Sequence, residues 1–196
     1  MKIETIINSD QFYNSNTYLV AKDGCVLVID PIDVDLILAK AKELGVIKGV
    51  LITHGHFDHC FGAKGLQDEG YAIYMSPLDD NEGMLKLADE FHTEFVPFTI
   101  NVPVVDGVYK IGAFDVQVIN TPGHSKGSVV YIVEGVAFTG DTLFNNAIGR
   151  YDLFGGSFSE LRHSLRKIFS LPDMTIYPGH NETSTIAIEG ARLLKR

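Results

Sequence analysis

Seven histidines occur in the 196 residues, and five of them stand just after short apolar runs, beside glycine, proline or aspartate. Residues 49–53 lead into His54-Gly55-His56-Phe57-Asp58-His59. Residues 114–120 lead into Thr121-Pro122-Gly123-His124, residues 136–139 into Gly140-Asp141-Thr142, and residues 174–177 into Pro178-Gly179-His180. Each run reads as a strand, so four strands deliver a histidine or an aspartate at the C-terminal end. Strand ends that converge on one edge of a sheet are where sites tend to be built.

Imidazole and carboxylate suit zinc, iron or manganese without any thiolate. His54 and His56 are two apart on an extended segment, so both can face one ion. Asp58 and His59 follow the turn and can face a second. Asp141 is the natural bridge, because a carboxylate has two oxygens and several lone pairs. One ion then takes His54, His56, His124 and Asp141, and the other takes Asp58, His59, His180 and Asp141, with room for a shared water. Any one histidine after a strand has a plainer reading as a packed or solvated residue; four such stations with a His-x-His-x-Asp-His cluster do not. His92 and His163 lie in helical patterns among charged neighbours and read as solvated. Cys60 follows His59 directly, but free cysteine is commonly a small buried hydrophobe. It is expected in the core, as is Cys25.

The elements that must hold these residues are short strands and amphipathic helices. Further strands are expected at 17–20, 26–29, 72–75 and 128–133, and the first eight residues are strand-like. A helix is expected over 33–44, with Val34, Ile37, Leu38, Ala41 and Leu44 on one stripe and Gly45 as its stop. A second covers 78–91. A third opens on the capping box Ser157-Phe158-Ser159-Glu160, buries Leu161, Leu165, Ile168 and Phe169, and ends before Pro172. A last covers about 183–194. Strands outnumber helices and the two are mixed, which fits an α/β (α+β) arrangement of two packed sheets with helices on their outer faces.

Residues 1–196 are expected to form one domain, since the length suits one core and no repeat or linker interrupts it. Sixteen Lys and Arg stand against 25 Asp and Glu, a formal net charge of -9. Such a chain offers no diffuse basic field to a phosphate backbone, so nucleic acid is not the expected partner. No apolar run approaches the length of a membrane helix, and no signal-peptide core opens the chain. Two cysteines make no disulfide framework, so a cytoplasmic setting is expected. Nothing in the sequence sets an oligomeric state.

With those residues in view, the sequence resembles the metallo-β-lactamase superfamily, and within it the single-domain glyoxalase II-like hydrolases. The resemblance spans nearly the whole chain. Beyond the metal stations it includes Val28-Ile29-Asp30-Pro31, the run Gly149-Arg150-Tyr151-Asp152-Leu153-Phe154-Gly155-Gly156, and the Ser-Phe-Ser-Glu-Leu helix opening. It implies an αββα sandwich and two divalent ions per chain, with zinc the first expectation and iron or manganese the others. It also implies hydrolysis of a small-molecule thioester such as an S-2-hydroxyacyl thiol. Asp58 and Asp141 would orient the attacking water as well as holding metal, and Asp30 would fix a histidine ring from behind.

Three departures shape the expected substrate. β-Lactamases of the common type carry a cysteine where this chain has Asp141, which disfavours a penicillin. Glyoxalase II enzymes carry a basic helical C-terminal region that holds glutathione, whereas here 16 residues follow His180. The glycine usual after Asp-Pro is Ile32. Arg150 is the remaining candidate for an anionic substrate tail, with an ion pair to Asp152 as its structural alternative. Two other activities of the same superfamily compete. One is a persulfide dioxygenase using one iron on His54, His124 and Asp141; the other is a nucleic-acid-processing hydrolase, which the acidic balance disfavours.

Overall fold

The computed structural model describes residues 1–193. Strands β1 (Lys2–Ile7), β2 (Asn16–Lys22), β3 (Cys25–Ile29), β4 (Val46–Leu51), β5 (Ile73–Met75) and β6 (Val102–Pro103) lie side by side in that order. β1, β2 and β3 pair antiparallel, and β3 through β6 pair parallel. The second sheet contains β7 (Gly107–Ile111), β8 (Phe114–Asn120), β9 (Val129–Val133), β10 (Val136–Gly140), β13 (Thr175–Pro178) and β14 (Ser184–Thr185), in the order β14-β13-β10-β9-β8-β7. A small hairpin, β11 (Leu143–Phe144) with β12 (Ala147–Ile148), leaves the end of β10.

Period-two alternation explains why the inner strands are apolar throughout. Tyr18, Val20, Leu27 and Ile29 point between the sheets, where they meet Leu51, Phe114, Val116, Tyr131 and Phe138. Leu19, Ala21, Val26 and Val28 point outward, under α1 (Val34–Leu44), α3 (Ala63–Asp68) and α4 (Asn81–Glu90). On the other side, α5 (Phe158–Phe169) and α6 (Ile186–Leu193) cover Ile119, Val130, Ile132 and Ile176. The layers are therefore helix, sheet, sheet, helix, as expected from the sequence.

Local chemistry sets the element ends. Asp33 caps α1 by accepting from Leu36 N, and Gly45 ends it. The second expected helix starts later than residue 78, at Asn81, because Asp80 accepts from Gly83 N and becomes its cap. His92 therefore leaves the helix: it is an exposed left-handed turn residue (φ 53°) beyond α4, solvated as expected. His163 is exposed on α5. Ser157 Oγ accepts from Glu160 N, but Ser157 N donates to Gly123 O (2.8 Å), so the reciprocal half of the capping box is taken by the loop of His124. The last helix begins at Ile186, and Leu194 lies outside the described residues. Cys60 is buried, whereas Cys25, the first residue of β3, is only half-buried.

Candidate metal centre

Past β4, Ile52 N still donates to Tyr74 O of β5 (2.9 Å), and the chain leaves the sheet at Thr53. Thr53 N and Thr53 Oγ1 both donate to the Asp30 carboxylate (2.8 Å each). Asp30 itself turns the chain after β3 in the left-handed region (φ 52°). Its Oδ2 also accepts from His59 Nδ1 (3.0 Å). Thr53 Oγ1, having given its proton to Asp30, accepts from His54 Nδ1 (3.0 Å). One buried carboxylate thus orients two histidines, one directly and one through a hydroxyl.

The other rings are held in the same way. His124 Nδ1 donates to Arg150 O (2.7 Å), and His180 Nδ1 donates to Tyr13 O (3.0 Å). With Nδ1 engaged, each of these four imidazoles turns Nε2 inward, the nitrogen a metal ligand would offer. His56 is reversed. Its Nδ1 lies 2.9 Å from His124 Nε2, and its Nε2 is buried without a partner. Asp58 and His59 form the first turn of α2 (Phe57–Cys60).

Two outer donor groups result, joined by a third made of His54, His59 and Asp141. His54, His56 and His124 gather in one, with His54 Nε2 3.2 Å from His124 Nε2. Asp58, His59 and His180 gather in the other, with His59 Nε2 3.2 Å from His180 Nε2. Asp141 lies between them. Its Oδ2 is 3.5 Å from both His124 Nε2 and His180 Nε2, and its Oδ1 is 3.3 Å from His59 Nε2. The structure thus gathers the seven residues singled out from the sequence. Facing lone pairs at such separations, and Asp141 Oδ1 buried without a hydrogen bond, fit divalent cations.

Electrostatics divides the halves. Burial, followed by the neighbouring imidazoles, pushes His54 well below its ordinary pKa and His56 down to about 3. Burial also opposes charge on His59, yet Asp141, Asp58 and Asp30 hold its pKa up to about 9. Burial likewise works against His180, and hydrogen bonds to Asp141 and Asp58 raise it to about 10. Burial raises the carboxyl of Asp141, but His59, His180 and His124 outweigh it and hold it well below the carboxylate range. Asp58 is lowered too, with His59 and His180 overcoming its burial.

Above the donor groups opens a cavity of about 240 Å³, lined by Tyr13, Phe57, Leu87, Phe91 and Leu153 and also by Arg150. Arg150 reaches Asp152 through two bonds, Nε to Oδ1 (2.9 Å) and Nη2 to Oδ2 (3.0 Å). It therefore lines the cavity and also makes the ion pair that was its structural alternative. Cys60 lies outside the donor groups. Its Sγ donates to His56 O (3.1 Å), and burial pushes its thiol well above the ordinary pKa. Ile32 packs with Phe12 and Phe57 beneath the site. The carbonyls of Tyr13 and Arg150 leave no trace in the sequence, because a backbone acceptor has no residue signature.

Comparison with known proteins follows the same lines. The chain is 32% identical over 205 residues to a probable metallo-hydrolase of Streptococcus pyogenes serotype M6, covering 96% of this chain and 88% of that one. It is 33% identical over 193 residues to a hydroxyacylglutathione hydrolase of Shewanella oneidensis, covering 91% of this chain but 66% of that one. Among solved structures it is similar to the BLEG-1 B3 metallo-β-lactamase, with a TM-score of 0.88, 28% identity, and 97% of each chain covered. It is also similar to ETHE1 from Myxococcus xanthus, with a TM-score of 0.83, 28% identity, and 98% and 83% covered. TTHA1623 in a di-iron-bound form gives 0.83 at 31% identity, with 96% and 97% covered. Residues 10–180 match the metallo-β-lactamase superfamily, and with two sheets converging on a His and Asp cluster, the chain belongs to that superfamily.

Proposed function

We propose that this chain is a binuclear metal-dependent hydrolase of small thioesters, of the S-2-hydroxyacylglutathione type. The observation that carries it is the pair of donor groups with Asp141 between them. The Shewanella oneidensis relative named hydroxyacylglutathione hydrolase supports the thioester. His54, His56 and His124 would hold one ion; Asp58, His59 and His180 would hold the other, with Asp141 shared. Two divalent ions there, zinc first among them, would acidify a shared water and polarise the carbonyl.

The chain's own groups do the remainder. Asp58 and Asp141 accept hydrogen bonds from the attacking water and fix its lone pair toward the carbonyl carbon. The Asp30, Thr53, Tyr13 and Arg150 acceptors keep four imidazoles from turning, so the ligands are preorganised before substrate arrives. Tyr13, Phe57 and Phe91 shield the reacting bond from bulk water. The departing sulfur needs no general acid, because thiols have a pKa near ~8.5 and leave as thiolate. Arg150 meets the anionic tail of the substrate. The formal charge of -9 suits a small-molecule partner over nucleic acid. No helix among the described residues is long and apolar enough to cross a membrane, and the two free cysteines suit a reduced cytoplasm.

A second reading, a mononuclear iron persulfide dioxygenase, has its own support. His54, His124 and Asp141 are gathered closely enough for a two-histidine, one-carboxylate site, and ETHE1 from Myxococcus xanthus is among the similar structures. Metal counting on protein purified without added metal decides between them. Two ions per chain with thioester turnover supports the hydrolase. One iron with persulfide-dependent oxygen uptake supports the dioxygenase and overturns the hydrolase, as would turnover confined to a β-lactam such as nitrocefin.

A further inference from the structure

Asp79 lies between β5 and α4, next to the residue that caps α4. Asp80 spends its carboxylate on Gly83 N (2.8 Å), and Asp79 faces the other way, into the floor of the metal centre. Asp79 Oδ2 accepts from Gly55 N (2.8 Å) and from Ser125 Oγ (2.6 Å). Asp79 Oδ1 accepts from Gly127 N (2.7 Å). Gly55 separates His54 from His56, and Ser125 follows His124. One carboxylate therefore ties together two loops that leave different sheets.

The fit is steric as well as polar. A Cβ on Gly55 would come within 2.8 Å of Asp79 Cβ, and one on Gly127 within 2.7 Å of Asp79 Cγ. Both loops are glycine where Asp79 approaches them. Ser125 Oγ also lies 2.7 Å from Ser128 Oγ, which closes the network. Among the described residues, the hydrogen bonds of Asp79 go to these two loops alone. The ligands of the other group are held elsewhere, His59 by Asp30 and His180 by the Tyr13 carbonyl.

We propose that Asp79 is a positioning residue dedicated to one of the two ions: it fixes the spacing of His54 and His56 against His124, and so sets the affinity of that group without setting the affinity of Asp58, His59 and His180. Two separate loops must be held at ligand spacing before an ion arrives, or the ion bears the ordering cost. Removing such an outer partner typically weakens metal binding by about ten- to a hundredfold. Here that loss falls on one ion only. This rests on the binuclear reading above.

The test is a titration of metal-free protein with Co2+, followed by its visible absorption, with the melting temperature of the metal-free form read alongside. Wild type is expected to bind two ions. Asp79→Ala should bind one with wild-type affinity and the other about ten- to a hundredfold more weakly. Ser125→Ala, which removes one of the three bonds, should weaken the same ion to a smaller extent, and it serves where Asp79→Ala does not fold. Equal weakening of both ions, or unchanged binding with only a lower melting temperature, would overturn the proposal and leave Asp79 a scaffold residue. If wild type binds a single ion, the binuclear reading fails by itself. Asp79 is then judged on that ion: weakened binding in Asp79→Ala retains its role, and unchanged binding removes it.

Discussion

Adding a single methyl group at Gly179 tests the centre more sharply than deleting a ligand. Gly179 lies between the end of β13 and His180. A Cβ there would overlap Asp141 Oδ1 and stand 2.6 Å from His59 Cε1 and 3.1 Å from Gly140 C. Ordinary carbon contacts begin at about 3.5 Å, so something must move by about 1 Å. The loop cannot retreat cheaply. Gly179 N donates to Gly140 O (2.8 Å), Asn16 N donates to Gly179 O (2.7 Å), and Tyr18 Oη donates to Pro178 O (2.6 Å). The Asp141 carboxylate must therefore give way. Overpacking of this kind costs about 1–3 kcal/mol of stability, and a misplacement of about 1 Å at a reacting centre costs about a hundredfold in rate. Gly179→Ala should lose about that much kcat/KM toward a hydroxyacyl thioester, hold its ions less tightly, and remain folded. The assays are steady-state hydrolysis, metal content after dialysis, and thermal melting of the metal-free form. Wild-type turnover with two tightly held ions would show that Asp141 has room to spare, and the close fit inferred for it would be wrong.

Asp141→Ala removes a carboxylate that lies between both groups and should abolish most thioester turnover while lowering metal content; full activity with two ions retained would sink the binuclear assignment. Cys60→Ala should leave metal content unchanged and cost about 1 kcal/mol in denaturant melts, as expected for a small buried side chain; loss of one ion equivalent would make the thiol a ligand. Arg150→Lys should raise KM with kcat and metal content largely kept, since the bond from His124 goes to the Arg150 carbonyl and survives the substitution; a collapse of metal occupancy would instead mark the side chain as structural. Glutathione thioesters should show a high KM and other thiols should be tolerated, because Arg150 is the one arginine or lysine lining the cavity among the described residues and is already paired with Asp152; a low KM with sharp preference for glutathione would refute this.

The sequence was most legible where one physical constraint dominated. Strands buried on both faces, such as β3 and β9, must be apolar throughout, and their runs stand out. The metal stations were readable because donor residues at strand ends have no other common purpose in that density. Even the outer partner Asp30 was within reach, through the Val28-Ile29-Asp30-Pro31 run that the family resemblance includes. What stayed hidden depended on partners distant in sequence. β7 puts only Tyr109 and Ile111 on its inner face and leaves Val108 exposed, too short a pattern to announce it; pairing with β8 makes it a strand. The two-residue strands β6, β11, β12 and β14 are products of their neighbours. Asp79 was folded into a helical pattern from residue 78, because nothing local says that Asp80 caps the helix and leaves its neighbour free. The capping box at Ser157 has the right residues, yet tertiary structure uses its backbone donor to hold the loop of His124.

The two sheets contribute unequally, and the division matters for how the centre assembles. His54, His56, Asp58 and His59 follow β4 in the first sheet, whereas His124, Asp141 and His180 follow β8, β10 and β13 in the second. Each donor group therefore spans the sheet interface, and each ion would cross-link the sheets. Such a site is soft if the sheets are free to slide, since the ion must then also pay for docking them. Here hydrogen bonds that involve none of the metal-station side chains also pin the sheets to each other. Tyr131 of β9 donates to Ile52 O (3.0 Å), and its oxygen lies 3.1 Å from Tyr74 O on the first sheet. Tyr18 and Asn16 of β2 reach across to Pro178 O at the end of β13. These buried bonds flank the ligands and are expensive to break in a dry interface. The sheet-to-sheet bonds thus fix the relative position of the two sets of donor residues through groups that are not themselves candidate ligands.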